Sequence, residues 1–395
     1  MDSMIGIEVH VSLNTKTKLF CSCPLTGKDS PNSRCCDICT GFPGSKPILN
    51  KKALEFALKL CLALNCKIAS ELIFSRKTYF YPDMGKNYQI TQYELPIGSK
   101  GFLQLKDKKI NITRIQIEED PAALVHQGST VLVDYNRSGT PLCEIVTEPE
   151  MTSPEEAREF LKKLLTILNY LQIFNIKTGI VKADANVNIK GCERVEIKNI
   201  NGFKEIEKAI TYEIERQKHL VKDGKAVKEK ETRGWDSDQG ITKFQRLKES
   251  EEDYGYILDP DLVPIDITKE FIEKTKKELP ELPQQKAFRY QKEYKIKKED
   301  AEVLANDYEL TGLLETSIQR HISPHFAAEW IRREVTRVLN YNKKELNETF
   351  ITKNLIEVLE LIQNKKITRQ TGQRLMELLI GKDLKVKNHV KKQNL

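Results

Sequence analysis

No run in this sequence approaches the roughly 18 consecutive apolar residues needed to cross a bilayer. The opening stretch, MDSMIGIEVH, does not place a basic segment ahead of a long apolar one. Both absences predict a cytoplasmic chain with no secretory signal and no membrane association. Internal repeats are lacking too, so a solenoid or propeller is excluded. The cysteines number nine. An odd count without a secretory signal argues against a disulfide framework.

What remains is an ordinary soluble composition on a long chain. The 395 residues are 39% hydrophobic and 31% charged, enough for a large core and long enough for two or three domains. The formal charge of +7 and pI near 8.7 suit an anionic partner such as RNA without demanding one.

The chain is organised around residues 114–150, RIQIEEDPAALVHQGSTVLVDYNRSGTPLCEIVTEPE. Arg114–Glu119 alternates polar and apolar, Thr130–Tyr135 is β-branched, and Cys143–Thr147 is a further short strand. Carboxylates crowd the stretch: Glu118, Glu119, Asp120, Asp134, Glu144, Glu148 and Glu150. Neighbouring side chains on a strand point to opposite faces, so Glu118 and Glu119 cannot both enter one pocket unless a bulge intervenes. Glu144 sits among Leu142, Cys143, Ile145 and Val146, where a carboxylate is costly unless paired or bound to a metal. Clustered hard oxygen ligands suit Mg²⁺, and a solvated acidic hairpin face would have the same composition.

Other segments add chemistry. In Ile5–Val11, Glu8 and His10 share one face and Ile7, Val9 and Val11 take the other. Cys21-x-Cys23 followed by Cys36-x-x-Cys39 has structural-zinc spacing with no open coordination position; Cys35 is a fifth candidate that the x-x separation disfavours, and reduced, metal-free thiols would show the same spacing. Cys61, Cys66, Cys143 and Cys192 stand in apolar or strand-like contexts and are expected to be buried thiols. Residues 75–92 interleave Arg76, Lys77 and Lys86 with Tyr79, Phe80, Tyr81 and Tyr88, a mixture able to hold a phosphodiester and stack bases, or simply to form a strand pair with a tyrosine-rich surface.

Val181–Ile189 and Arg194–Asn199 read as paired strands, with Asp184, Asn186, Asn188, Glu196 and Lys198 on polar faces. Together with Glu8 and His10 they suggest an active-site floor under a layer of helices. Residues 221–252 are charged; Arg246 and Lys248 could clamp phosphates, or belong to a mobile hairpin. Asn50 and Ser153 cap helices starting at Lys51 and Pro154, and a third runs Phe203–Leu220. From about Thr268 onward the pattern is helical: Glu270–Lys277, Gln284–Glu293, Lys298–Asn306, Glu309–Ile318, Pro324–Asn340, Thr352–Gln363 and Thr368–Ile380, then a frayed Lys/Asn-rich tail, Lys382–Leu395. The division expected is a catalytic domain over 1–267 with a zinc loop at about 19–44, a helical domain over 268–349, and the start of a helical tail domain over 350–395.

Several of these stretches carry a resemblance: GIEVHVSL at 6–13, LFCSCP at 19–24, PNSRCCDICTGFPGSKPILN at 31–50, SRKTYFYPDMGKNYQITQY at 75–93, IEEDPAALVH at 117–126, DYNRSGTPLCEIVTEPE at 134–150, KADANVNI at 182–189 and RVEIKNINGFKEIEKAITYEIERQ at 194–217. LPELP at 279–283 and HFAAEWIRREVTRVLN at 325–340 extend it. The sequence resembles the GatB/GatE family of tRNA-dependent amidotransferase subunits over nearly its whole length. Its NINGFKEIEKAI run is closer to the GatB members than to the GatE members.

The resemblance implies an α+β fold: an antiparallel-sheet catalytic cradle of the glutamine-synthetase type, followed by a small all-α domain. It implies ATP- and Mg²⁺-dependent phosphorylation of the side-chain carboxylate on Glu-tRNA(Gln), and in many organisms on Asp-tRNA(Asn), then amidation with ammonia. Glu8, His10, Glu119 and Glu144 correspond to the Mg²⁺ ligands, with Glu118 the substitute if the strand bulges. Asp184, Asn186, Glu196, Arg246 and Lys248 correspond to the nucleotide side, Lys77 to the ammonia exit, and Arg76, Tyr79, Tyr81, Lys86 and Tyr88 to the tRNA acceptor end. The implied cofactors are ATP, Mg²⁺ and Zn²⁺. The implied partners are misacylated tRNA, the family's amidase (GatA) delivering ammonia through a channel, and its small third component (GatC).

Ala122-Ala123 stand where the family often carries a basic residue, and Asp253-Tyr254-Gly255-Tyr256 lacks an expected arginine. The family's tail, which reaches the tRNA elbow, is represented only by its start, about Thr352–Ile380. No long Gly/Ser-rich nucleophile loop with a nearby lysine occurs, so the chain is expected not to make its own ammonia from glutamine. A zinc-stabilised, metal-dependent nuclease or RNA-binding module would share the carboxylates and basic aromatics but would need no ATP.

Overall fold

The structure, a computed structural model, describes residues 3–27, 30–174, 181–247 and 251–393. It divides into two compact units, Met1–Leu279 and Pro280–Leu395.

The first unit is built on a nine-stranded sheet. Its strands are β1 (Ser3–Ser12), β2 (Lys67–Ile68), β3 (Gly98–Gln104), β4 (Lys109–Glu119), β5 (Pro141–Thr147), β6 (Val181–Ile189), β7 (Val195–Ile200), β8 (Glu231–Asp236) and β9 (Ile241–Leu247). Their spatial order is β9-β8-β7-β6-β1-β5-β4-β3-β2. Every pairing is antiparallel except β7 with β8. The N-terminal strand thus lies between β5 and β6, which join it from distant parts of the chain.

Period-2 patterning decides which face each side chain takes. Ile5, Ile7, Val9 and Val11 on β1, Ile115 and Ile117 on β4, Cys143 and Ile145 on β5, and Ala185, Val187 and Ile189 on β6 are buried. Against the sheet pack helices α1 (Lys51–Ala63) and α3 (Phe203–Lys222), with α2 (Pro154–Leu171) packed on both of those helices. On α2 the apolar stripe is buried, from Ala157 and Phe160 through Leu164 to Leu168. The opposite, polar face of the sheet holds the candidate site residues Glu8, His10, Glu144 and Asp184. Of the two readings left open for residues 221–252, a strand or a mobile hairpin, the structure has the strand: Glu231–Asp236 and Ile241–Leu247 form the paired edge β8–β9 of this sheet.

Helix boundaries follow their caps. Asn50 Oδ1 accepts from the Lys52 and Ala53 amides, and its Nδ2 donates to Thr17 and Lys18 oxygens, tying the start of α1 to the zinc-spaced loop. Ser153 Oγ accepts from the Glu156 amide, with Pro154 in the first turn of α2. A fourth helix, α4 (Lys269–Lys277), packs on α1, so the first unit runs on past the boundary expected at 267 to Leu279.

The second unit is helical throughout: Pro283–Tyr294, Lys298–Ala305, Tyr308–Gln319, Pro324–Asn342, Ile351–Gln363, Arg369–Leu378 and Val386–Gln393. The Pro324–Asn342 stretch contains one π-helical turn, Ile331–Val335, that no sequence pattern announced. One apolar cluster extends from Ala287 to Val390, so residues 350–393 share a core with the helices before them. The tail is not frayed over 386–393, because Val386 and Val390 are buried in that core.

Asn50→Ala removes a cap and an inter-segment tie together, and is expected to destabilise the first unit by about 1–2 kcal/mol. The two tryptophans separate the units, Trp235 lying in the first and Trp330 in the second. In a Trp330→Phe background, denaturant unfolding followed by fluorescence should shift to lower midpoint with Asn50→Ala.

Candidate active site and metal centre

Sheet register assembles the site. His10 pairs with Glu144 across β1–β5 and with Lys182 across β1–β6, Glu144 pairs with Gln116 across β5–β4, and Glu8 pairs with Asp184. Residues in register on one face stand side by side, so these polar groups form adjacent rows. They open into a cavity of about 550 Å³ lined by Glu8, His10, Glu118, Glu144, Asp184 and Lys198, among others.

His10 Nε2 is the focus. It lies 3.3 Å from Glu118 Oε1, 3.6 Å from Glu144 Oε2 and 3.6 Å from Glu8 Oε1. Glu118 and Glu144 are buried. Gln116 Nε2 donates to Glu144 Oε2 (3.2 Å) and to Thr91 Oγ1 (3.2 Å), which fixes the carboxylate's orientation. Burial alone would lower the His10 pKa, but the hydrogen bonds and charges of Glu118 and Glu144 outweigh it and hold the imidazole protonated well above its usual range. Burial, then the neighbouring Glu144 charge, pushes the Glu8 carboxyl up. Ligand atoms of Glu8, His10 and Glu144 all lie within 4.8 Å of one another, a spacing that one cation can bridge.

Glu119 does not join them. β4 runs without a bulge at 118–119, so consecutive side chains face opposite ways. Glu119 is buried against Lys86 as an ion pair and accepts from the Ile90 amide at 3.1 Å. The structure therefore brings Glu8, His10 and Glu144 together, and Glu118, not Glu119, reaches His10 from the same face without the bulge thought necessary. The same pairing occupies Lys86, expected at the tRNA acceptor end.

The nucleotide-side candidates divide. Asp184 lines the cavity, and Lys198 Nζ bridges it (2.8 Å) to Glu196 (3.6 Å). Burial would lower the Lys198 pKa, but Asp184 and Glu196 raise it and keep the ammonium charged. Glu196 is buried and accepts from Thr232 Oγ1 at 3.0 Å. Asn186 Oδ1 is buried with no hydrogen-bond partner among the described residues. Arg246 is exposed on the edge strand β9, opposite Thr232. Lys248 lies outside the described residues. Sequence reasoning put Lys198 on the polar floor but passed over Lys182, although Lys182 shares strand parity with Asp184 and pairs with His10.

A three-stranded sheet holds residues 75–78 and 88–91 beside Ile257–Leu258. Lys77 and Gln89 project from it into the main cavity, and Lys77 Nζ sits 4.3 Å from the centre of the Tyr254 ring. Arg76 and Tyr88 take its other side, around a second cavity of about 220 Å³ that also includes Lys86, Ile90 and Asp261. Arg76 is committed to Asp259 (2.8 Å) and Asp261 (2.9 Å) and stacks on Tyr88. Phe80 and Tyr81 are exposed, and the Tyr79 and Tyr81 rings lie 5.8 Å apart.

The four cysteines of the zinc-type spacing converge. The sulfurs of Cys21, Cys23, Cys36 and Cys39 lie within 4.8 Å of one another, close to the separation of about 3.8 Å that a tetrahedral Zn–S distance of about 2.3 Å requires. A hydrogen bond from the Cys21 thiol lowers Cys39 to about 4 against its burial, helped by the Cys36 amide and Lys18. Donation to Cys39, then burial, raises Cys21, while burial and Cys36 push Cys23 up to about 12. One thiolate is thus prepared for a cation. Cys35 turns away, its Sγ 3.1 Å from the Asn32 carbonyl. Cys61, Cys66 and Cys143 are buried as expected, whereas Cys192, beside the turn after β6, is only half-buried.

Two outcomes follow from this geometry. Zinc content should fall to background in a Cys36→Ala, Cys39→Ala double variant, measured by elemental analysis of the folded protein. Mg²⁺ binding must displace the proton that Glu118 and Glu144 hold on His10. Affinity in the proposed reading should therefore keep rising with pH past the ordinary histidine range, with proton release detectable by calorimetry in two buffers; His10→Asn should flatten that dependence.

The GatB/GatE catalytic domain model matches residues 3–273, and the GatB domain model matches residues 313–395. The chain is similar to the B subunit of the aspartyl/glutamyl-tRNA(Asn/Gln) amidotransferase of Thermodesulfovibrio yellowstonii, 43% identical over 390 residues that cover 95% of this chain and 82% of the relative. The same-named protein of Saccharolobus solfataricus is 46% identical over 391 residues, covering 95% and 82% respectively. That of Sulfolobus acidocaldarius is 47% identical over 406 residues, covering 99% and 85%.

Proposed function

Because this chain belongs to the GatB/GatE family, we propose that it is the ATP-dependent component that converts Glu-tRNA(Gln), and Asp-tRNA(Asn) where that tRNA is misacylated, to the amidated aminoacyl-tRNA. The observation that carries this reading is the convergence of Glu8, Glu118 and Glu144 on His10 Nε2 in one cavity. Such a cradle suits an amide-forming site of the glutamine-synthetase type.

In the proposed reaction an oxygen of the tRNA-bound side-chain carboxylate attacks the γ-phosphorus of ATP, and ADP leaves. Ammonia then attacks the carbonyl carbon of the acyl phosphate, loses a proton and expels inorganic phosphate, leaving the amide. Phosphoryl transfer needs positioning and charge neutralisation more than covalent help from the protein. Mg²⁺, which Glu8, His10, Glu118 and Glu144 would hold, supplies that neutralisation when bound. Lys77 lines the cavity on what is, in this reading, the ammonia side, and Lys198 holds Asp184 in place on the floor. Gln116 keeps Glu144 oriented.

The second cavity supports an ammonia route from a separate amidase protein. Lys86 lines that cavity, and its buried partner Glu119 lies between Glu118 and Asp120, which both line the main one. The exposed Phe80 and Tyr81 offer stacking surfaces for the unpaired acceptor end of tRNA. Zinc on the four cysteines is structural in this reading. The small GatC component completes the proposed assembly, which works in the cytoplasm.

The purified chain, given ATP, Mg²⁺ and misacylated tRNA, should release ADP and form amide with ammonium chloride but not with glutamine. Glu144→Gln should lower ADP release by about 10²–10³-fold, whereas Lys77→Ala should reduce amide formation more than ADP release. Hydrolysis of tRNA without ATP would identify a nuclease instead.

A further inference from the structure

Lys18 takes no part in the chemistry above, yet it is fully buried, 0% exposed. A lysine is rarely enclosed without a charged partner. Among the described residues its ammonium meets no carboxylate; Nζ donates to Cys39 Sγ at 3.3 Å and to the Tyr135 carbonyl at 3.0 Å. The backbone amide of Lys18 donates to the Cys23 carbonyl at 3.0 Å, so this one residue touches both cysteine pairs. Cys39 Sγ also lies 3.2 Å from the Cys36 amide nitrogen. The stem of Lys18 is held in place: a Cβ at Gly139 would sit 3.4 Å from Lys18 Cδ and 3.6 Å from Cys39 Cβ.

Four thiolates on one divalent cation carry a net charge of about −2, and Cys21 and Cys39 are themselves buried. Enclosed charge of that size is unfavourable unless a counter-charge is enclosed with it. An ammonium donating to one sulfur halves the net charge and stabilises that sulfur as a thiolate without competing for the metal.

We propose that Lys18 is the outer cation of the zinc centre, holding Cys39 as a thiolate and slowing metal release. This rests on the four-cysteine zinc assignment, and the experiment separates the two. Zinc content of the unaltered chain is measured first; a chain purified without zinc that takes up none on reconstitution overturns both. With zinc present, its release to a chromogenic chelator is timed for the unaltered chain and for Lys18→Met, Lys18→Arg and Ser138→Ala. Ser138 Oγ donates to the Cys39 carbonyl at 2.9 Å, so its loss loosens the same loop without touching a sulfur. Lys18→Met should release zinc about 10–100-fold faster, while Lys18→Arg and Ser138→Ala stay close to the unaltered rate. In the Co²⁺-substituted protein the sulfur-to-metal charge-transfer band should move to lower energy in Lys18→Met and stay in place in Ser138→Ala. Unchanged release in Lys18→Met, or equal acceleration in Ser138→Ala, overturns the role of Lys18 and leaves the zinc assignment standing. Should Lys18→Met fail to fold, Lys18→Gln replaces it, and release no faster than from Lys18→Arg overturns the proposal.

Discussion

Three carboxylates surrounding one imidazole nitrogen set the terms for the catalytic unit. Glu8, Glu118 and Glu144 cannot be held this close, largely away from solvent, without a positive charge among them. With no metal bound, the proton on His10 provides it. A bound divalent cation would provide it more strongly and would take the imidazole as a neutral ligand. In the proposed reading a proton and a metal compete for this position. Lys198 between Asp184 and Glu196 repeats the arrangement further along the floor with a charge of its own. The polar face therefore pairs its carboxylates with a titratable cation on β1 and with a lysine on β7.

Much of this was legible in the chain. Alternation alone placed Glu8 with His10, and Asp184 with Asn186, on polar faces, and set Ile7, Val9 and Val11 on the core face. The caps at Asn50 and Ser153 located two helices to within a residue. The cysteine spacing brought four sulfurs together across a loop whose path no pattern revealed. In each case a short-range rule was sufficient, because strand parity, capping and ligand spacing act over a few residues.

Failures came where a long-range partner decided the outcome. Glu119 resembled a ligand by its motif, but parity turned it to Lys86, a residue 33 positions away whose position only the tertiary fold could give. The polar, charged composition of residues 231–247 suggested mobility; pairing with β7 made the segment the sheet's edge. Lys- and Asn-rich composition suggested a frayed tail, yet Val386 and Val390, two apolar residues at helical spacing, were enough to dock it. Composition counts charges, whereas contacts assign them.

The floor also depends on a device on the other side of the sheet. Gln217 on α3 donates to the Val187 carbonyl and accepts from the Ile189 amide, and it is fixed in turn by fully buried Glu213, which also accepts from Thr242 on β9. A polar network inside an apolar layer adds little net stability, but it is specific about alignment. β6 alternates small apolar residues with Asp184, Asn186 and Asn188, and a slip of one residue would exchange the two faces. Hydrophobic burial penalises such a slip only modestly at Ala183 and Ala185, which offer little area. The pair of hydrogen bonds from Gln217 penalises it more sharply, since a slipped strand would present its backbone groups in the wrong direction. The placement of Asp184 opposite Glu8 therefore rests on a glutamine that never enters the cavity.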